Sequence, residues 1–168
     1  GHEIGHGFDD QGSKYDGEGK LVSWWTKEDR EAFEALTKSL INQYSVLTPE
    51  GLDEKYKVNG ELTIGENIGD LGGLGIAWKA YLISLNGQEP PVIDGMSAAE
   101  RFLFSWAQCW RGKSREEIAI QRLATDPHSP AEFRCNQVVK NLDLFHETFD
   151  VQPGDEMWLE PEKRVVIW

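Results

Sequence analysis

The first six residues of the chain read Gly1-His2-Glu3-Ile4-Gly5-His6. They contain the pattern H-E-x-x-H, in which the two histidines are four residues apart. Residues at this spacing share one face of an α-helix, so His2 and His6 can each direct a ring nitrogen at a single ion. Imidazole is a good zinc ligand, and Glu3 is placed to reach a water on that ion without binding the ion itself. The alternative is a pair of polar histidines on a solvated helix face.

A second motif, Glu66-Asn67-Ile68-Gly69-Asp70, offers a third ligand. The three-histidine class of zinc site is excluded, because the chain has Asp9 and Gly12 where that class needs Gly and His. Other zinc peptidases take a Glu from a second helix, in the pattern E-x-x-x-D. Because Glu66 and Asp70 share one helix face, Glu66 can bind the metal while Asp70 accepts a ring N–H from a ligand histidine.

A capping role is the competing interpretation of Glu66. The run Thr63-Ile64-Gly65-Glu66 fits a capping box, in which the Glu66 side chain would reach back to the backbone. Five glycines argue against a segment that merely forms a helix, since each glycine inside a helix costs about 0.5–1 kcal/mol relative to alanine. They are Gly65, Gly69, Gly72, Gly73 and Gly75. Such glycines are expected where a second, ligand-bearing helix approaches closely.

A third histidine lies just before another predicted helix, in the run Thr125–Pro130. Asp126 is close enough in sequence to orient the ring of His128, and Arg134 follows in the first turns of the helix. Attack of water on a peptide carbonyl creates an oxyanion, which a His, Tyr or Arg donor commonly stabilises. The alternatives are a surface loop histidine at 128 and a solvated or salt-bridged arginine at 134. His146 has no such neighbours and is predicted to be structural.

The rest of the sequence predicts a single, mostly α-helical domain with minor β-structure. A loop is expected over residues 9–23, and a small strand-and-turn element within residues 50–62, where Asn59-Gly60 is a turn signal. Three Ser-x-x-Glu capping boxes, at Ser97, Ser114 and Ser129, mark helix starts. Helices are expected over residues 26–46, 64–85, 97–110, 114–124, 129–142 and 144–149.

Composition narrows the range of partners. The 168 residues include 29 acidic and 17 basic side chains, for a net charge of −12. No Lys/Arg cluster stands out, so neither nucleic acid nor an anionic membrane is expected as a partner. No apolar run reaches the roughly 20 residues that a membrane span needs. The two cysteines, Cys109 and Cys135, are expected to be small buried apolar residues rather than a disulfide bridge. Because His2 would otherwise lie in a fraying first turn, we interpret the chain as a fragment of a longer protein.

Taken together, these motifs resemble the catalytic half of the neprilysin and endothelin-converting-enzyme family of zinc metalloendopeptidases. The matching stretches are residues 2–10, Trp24-Trp25-Thr26, residues 65–70 with the Gly-Gly-Leu-Gly run that follows, Asp126–Pro130 through Phe133-Arg134, and the terminal Trp168. The resemblance implies that residues 1–168 form the C-terminal part of a catalytic domain, with a helical, thermolysin-like (gluzincin) lobe. It also implies a large upstream helical domain that encloses the cavity and limits substrates to peptides.

The resemblance assigns the metal side of the site. His2, His6 and Glu66 would bind one zinc ion (Zn²⁺) per chain, and Glu3 would be the general base. The predicted function is therefore a zinc-dependent endopeptidase that hydrolyses oligopeptides through a zinc-activated water. Two alternatives stay open: another metal-dependent amide hydrolase, such as an amidase, and a non-catalytic helical binding module with a vestigial or structural zinc site.

The remaining motif residues would act around the metal. His128 would donate a hydrogen bond to the oxyanion, with Asp126 orienting its ring. Asp70 would hold one zinc-ligand histidine and Asp9 the other. Arg134 would contact the substrate backbone on the primed side.

Two features depart from the family pattern. The substrate-binding strand, with its Asn-Ala-aromatic signature, is absent, so the upstream part of the same polypeptide is an expected partner. The cysteine pattern of animal members is also missing, and the tail Val165-Val166-Ile167-Trp168 has no cysteine. This second departure resembles bacterial members, which implies a periplasmic, cell-surface or secreted location.

Overall fold

A computed structural model describes all residues, 1–168. The prediction of a mostly α-helical fold is confirmed, but no strand forms, and β-structure is limited to the isolated bridges Tyr15–Leu21 and Ile93–Met96. The α-helices are α1 (His2–Gly5), α2 (Lys27–Ser45), α3 (Gly60–Ser84), α4 (Ala98–Cys109), α5 (Glu116–Thr125), α6 (Ala131–Val139) and α7 (Asp143–Thr148). Short 3-10 helices cover His6–Phe8, Gly12–Lys14 and Pro161–Lys163.

Helix α3 is the centre of the fold, because α1, α2 and α6 all pack against it. Its core residues are Ile64, Ile68, Leu71 and Leu74, which recur every three or four positions and so share one face. Burying one such side chain contributes about 1.5–3 kcal/mol. The other core residues are Phe33, Leu40 and Tyr44 of α2, Val58, Leu103 of α4, Val138 and Val139 of α6, and Val165 and Ile167 of the tail. This packing fixes the position of α3, the helix that carries Glu66 and Asp70.

The start of α3 corrects one prediction and excludes one alternative interpretation. Its N-cap is Asn59, whose side chain accepts a hydrogen bond from the backbone N–H of Leu62 at 3.0 Å. A Cβ on Gly60 would lie 2.5 Å from the carbonyl oxygen of Ile41 in α2, so Asn59-Gly60 begins a tightly packed helix. The strand-and-turn element predicted within residues 50–62 is therefore wrong. The capping box ending at Glu66 is also wrong, because Glu66 lies inside the helix, beyond its first turn.

The predicted capping boxes of the later helices have different outcomes. The box of Ser97 and Glu100 forms, with hydrogen bonds of 3.2 and 2.7 Å. The box at Ser114 does not form, because α5 begins only at Glu116 and has no side-chain cap. The box at Ser129 is wrong as well, because the N-cap of α6 is Pro130 and no side chain caps this helix. Glu132, the expected partner of Ser129 in that box, instead accepts the backbone N–H of Glu50 at 2.9 Å.

The C-terminus packs beside the start of the chain. Trp168 stacks on Phe33 at a centroid distance of 5.7 Å and meets Phe8 edge to face at 6.0 Å. A Cβ on Gly72 would lie 3.0 Å from the Trp168 ring, so this glycine allows the indole to approach α3. The two ends of the chain are therefore held together beside the H-E-x-x-H segment.

The cysteines and His146 have different outcomes. Both cysteines are free, but the expected burial is wrong for Cys109, which is exposed. His146 is a buried structural residue, with Nε2 2.9 Å from the carbonyl oxygen of Lys140. None of the helices combines the length and apolar character that crossing a membrane requires.

Candidate active site

The two histidines of the first motif and Glu66 of α3 come together where α1 packs on α3. Nε2 of His2 lies 3.1 Å from Glu66 Oε2, and Nε2 of His6 lies 3.4 Å from Glu66 Oε1. Helix α1 ends at Gly5, and His6 begins the 3-10 turn that continues it. The i, i+4 spacing still keeps the two rings adjacent, with centroids 4.7 Å apart. One potential ligand atom from each of the three residues lies within 4.8 Å of the other two.

Glycines of α3 allow α1 to approach this closely. A Cβ on Gly69 would lie 2.9 Å from Nδ1 of His2, and a Cβ on Gly73 would lie 2.7 Å from the His2 backbone nitrogen. A Cβ on Gly65 would lie 2.9 Å from Oδ1 of Asp10, in the loop that follows α1. Gly75 faces open space, so the predicted close approach is wrong at that position.

A carboxylate holds the far side of each ring. Asp70, which is 2% exposed, places Oδ1 2.9 Å from Nδ1 of His2. Asp9 places Oδ2 2.8 Å from Nδ1 of His6, and this hydrogen bond is the main cause that raises the pKa of His6 above its ordinary value. A ring that donates its Nδ1–H to a carboxylate has its lone pair on Nε2 in the neutral form. The lone pair of neutral His6 therefore lies on Nε2, the nitrogen nearest to Glu66, while Nδ1 of His2 is within ion-pair distance of Asp70.

Arg134 is a second partner of Asp70. Its Nε and Nη2 donate to the two carboxylate oxygens at 2.7 and 2.8 Å, and Nη2 also lies 3.6 Å from Glu66 Oε2. The guanidinium carbon is 4.3 Å from the ring centroid of Trp110, within range of a cation–π contact. Burial acts to lower the pKa of Arg134, but the hydrogen bonds to Asp70 outweigh it and the pKa is raised. Nη1 makes no hydrogen bond and is free to donate to another group.

His128 approaches the same glutamate. Its Nε2 lies 3.2 Å from Glu66 Oε2, and its Nδ1 lies 2.7 Å from Oδ1 of Asp126. The same Asp126 oxygen accepts the His128 backbone N–H at 2.9 Å. These contacts, the backbone hydrogen bond first, lower the pKa of Asp126, so its carboxylate stays charged as an acceptor. The imidazole is 45% exposed, which leaves it open to a ligand.

Glu3 and Glu66 differ in their surroundings. Glu3 is exposed and makes no hydrogen bond or ion pair. Glu66 Oε2 is buried without a hydrogen bond, although nitrogens of His2, His128 and Arg134 lie within 3.6 Å. Buried carboxylate oxygens are normally hydrogen-bonded or bound to a cation. Catalytic zinc sites can also have two imidazoles and one carboxylate as ligands, with the fourth coordination position left open. The residues present therefore fit a zinc ion.

Three neighbours of the site were not among the predicted site residues. Trp110 was one tryptophan among seven, and no sequence pattern linked it to Arg134. Ser129 was assigned to a helix cap. Asn67 is next to Glu66, and the only sequence signal of a tertiary partner is an asparagine in the interior of a predicted helix, where this residue type is unfavourable.

Comparison with known proteins identifies the family of the chain. The sequence pattern of peptidase family M13 matches residues 1–165. The chain is 37% identical to human neprilysin, covering 100% of this chain and 22% of neprilysin. It is 38% identical to the neutral endopeptidase of Lactococcus lactis, covering 99% of this chain and 24% of that protein.

The fold is also similar to that of a solved structure, the zinc metalloprotease Zmp1 of Mycobacterium tuberculosis in complex with an inhibitor. The TM-score is 0.96 at 59% identity, covering 100% of this chain and 26% of Zmp1. The chain spans about a quarter of the length of these relatives. Since the family pattern extends over nearly all of its residues, the chain belongs to peptidase family M13.

Proposed function

We propose that this chain carries the active site of a zinc-dependent endopeptidase that hydrolyses peptide bonds of oligopeptides, with one zinc ion per chain. The observation that carries the proposal is the cluster of His2, His6 and Glu66, whose ligand atoms lie within 4.8 Å of one another. The carboxylates behind both rings support it, because such partners orient zinc-binding histidines. Membership of a peptidase family supports it as well.

In this proposal the H-E-x-x-H motif supplies two of the three zinc ligands, His2 and His6, and the general base, Glu3. His2, His6 and Glu66 would hold the zinc ion, which would supply a Lewis acid and lower the pKa of a bound water to about 7. Glu3 accepts a proton from the attacking water and passes it to the leaving amine. Its exposure and lack of partners leave the carboxylate free for this transfer. Asp9 and Asp70 hold the two ligand rings in place through Nδ1.

The second half of the site acts on the substrate. Because Asp126 accepts the Nδ1–H of His128, this ring can donate from Nε2 only as an imidazolium. In that form His128 donates a hydrogen bond to the oxyanion and offsets part of its charge. Arg134 binds a substrate carbonyl through Nη1, while its Nε and Nη2 stay on Asp70.

The proposal is tested by incubating the full-length protein with a mixed oligopeptide library, with and without a zinc chelator. We expect internal peptide bonds to be cut, the chelator to stop the cutting, and added zinc to restore it, as read by mass spectrometry. Hydrolysis of simple amides without peptide cleavage would instead support an amidase. Zinc binding without any hydrolysis would support a non-catalytic module.

We also propose, from the family resemblance, that an upstream segment of the same polypeptide encloses the site and that the protein works outside the cytoplasm. The absence of the animal cysteine pattern supports the likeness to bacterial members. Fractionation of the producing cells tests the location. Comparing the cleavage of short peptides with that of a folded protein tests the enclosure, because an enclosed site cuts only the peptides.

The substitution Gly69→Ala is expected to weaken zinc binding about ten- to hundred-fold, as does loss of other groups that orient a ligand. The added methyl group would lie 2.9 Å from Nδ1 of His2 and force the ring away from Glu66 and Asp70. Gly75→Ala is the matched control, since no atom lies within 4 Å of its Cβ. It is expected to keep zinc and to stabilise the helix by about 0.5–1 kcal/mol. Metal titration and thermal unfolding measure both effects, and equal zinc affinity in the two variants would contradict the expected crowding of His2.

A further inference from the structure

We propose that Asn67 and Ser129 are positioning residues that hold His128 against Glu66, an inference that rests on the proposed function. The Ser129 hydroxyl donates to Asn67 Oδ1 at 2.8 Å. Asn67 is 0% exposed and Ser129 is 3% exposed, so this hydrogen bond is shielded from water. Each partner is the next residue in sequence after a member of the site.

These adjacent pairs join α3 to the loop of residues 126–130 at two points. On the site side, His128 Nε2 lies 3.2 Å from Glu66 Oε2, and this contact is partly open to solvent. On the buried side, the bond from Ser129 to Asn67 is the only hydrogen bond between this loop and α3. The hydrogen bonds of Asp126 to His128 lie within the loop and do not attach it to α3. The buried bond therefore determines where the His128 ring sits relative to α3.

The buried bond also has a defined direction. The Thr63 hydroxyl donates to the backbone carbonyl of Asn59 at 3.1 Å, so its oxygen accepts Nδ2–H of Asn67 at 3.0 Å. This arrangement turns the amide oxygen of Asn67 towards Ser129 and requires a donor at position 129. A side chain without a donor there would leave a buried acceptor unpaired, which is unfavourable. The loop would then shift, and His128 would shift with it.

The experiment compares Ser129→Ala and Ser129→Thr in the full-length zinc-loaded protein. We expect Ser129→Ala to lower kcat about tenfold, in the range measured for groups that orient active-site residues, with KM and zinc content unchanged. Ser129→Thr keeps the hydroxyl and is expected to retain most of the activity. Ser129→Cys, with its weaker donor, is expected to lie between them and gives the same test if the alanine variant does not fold.

Two further variants separate positioning from a general loss of structure. Ser13→Ala removes another buried hydroxyl, which accepts from Arg30 at 3.0 Å, and is expected to leave kcat unchanged. In a His128→Ala background, Ser129→Ala is expected to cause no further fall in kcat, because its effect passes through His128. A full tenfold fall in that background would overturn the proposal.

Hydrogen exchange provides a readout that does not depend on activity. The backbone N–H of His128 donates to Asp126 within the loop, and a loosened loop exchanges this hydrogen faster. We expect faster exchange in residues 126–130 of Ser129→Ala and wild-type exchange in Ser129→Thr. Unchanged exchange in Ser129→Ala would overturn the positioning role. A wild-type protein that cuts no peptide would instead contradict the proposed function, and the exchange experiment would still test the loop.

Discussion

Glu3→Gln is expected to lower kcat by about 10²- to 10⁴-fold, the contribution typical of a general base, while zinc content stays unchanged. A glutamine amide cannot accept the proton of the attacking water. The substitution is nearly isosteric, and Glu3 is exposed without a hydrogen bond or ion pair. We therefore expect the fold to stay unchanged. Peptide turnover and metal analysis on the same preparation measure the two quantities.

The control for Glu3→Gln is Glu61→Gln, which removes another exposed carboxylate, in the first turn of α3. It is expected to keep wild-type turnover. If Glu3→Gln also keeps full activity, Glu3 is not the base. If neither protein hydrolyses peptides but both bind zinc, the binding-module alternative gains support.

Glu66→Gln is expected to weaken zinc binding by more than about a hundredfold, since loss of even an orienting partner commonly costs ten- to hundred-fold. It replaces one ligand oxygen with an amide nitrogen, which has no lone pair for a metal. It also removes the negative charge that faces the Nε2 atoms of His2, His6 and His128. Metal analysis after dialysis, followed by titration with zinc, measures the loss.

Two carboxylates outside the site serve as controls for Glu66→Gln. Glu54 is paired with Lys57 at 2.8 Å on the surface, and Glu50 is exposed. Neither Glu54→Gln nor Glu50→Gln is expected to change zinc retention. Equal zinc loss in all three variants would remove Glu66 from the metal site, whatever the activity.

The two main variants also distinguish metal binding from chemistry. The Glu3 variant is expected to retain the ion and lose turnover, whereas the Glu66 variant is expected to lose both. A hydrolase in which the zinc is only structural would show a different result, because Glu3→Gln would then remain active.

Local predictions succeeded where the deciding contacts lie within one turn of helix. Thr26 caps α2 by accepting the backbone N–H of Asp29 at 3.1 Å, and the Ser97 box forms as its spacing indicates. The same reasoning failed where a residue distant in sequence makes the deciding contact. Gly60 packs against Ile41 of α2, and Glu132 of the box predicted at Ser129 accepts the backbone N–H of Glu50, so neither follows its local pattern.

The sequence by itself determined which side chains lie next to each other: His2 with His6, four positions apart, and Glu66 with Asp70 on one face of α3. These relations follow from the helical repeat and need no knowledge of the rest of the fold. Only the tertiary structure decided that the two faces meet. That contact depends on the core packing of α3 and on the missing side chains of Gly69 and Gly73.

The contacts of the remaining site residues were likewise decided by the tertiary structure. Arg134 could have been a solvated helix residue, but α6 packs on α3 and brings its guanidinium onto Asp70, 64 positions away. Trp110 reaches the same guanidinium from the end of α4. The physical reason is the range of the interactions: turns and caps are decided by neighbours a few residues away, whereas packing brings together surfaces that are distant in sequence.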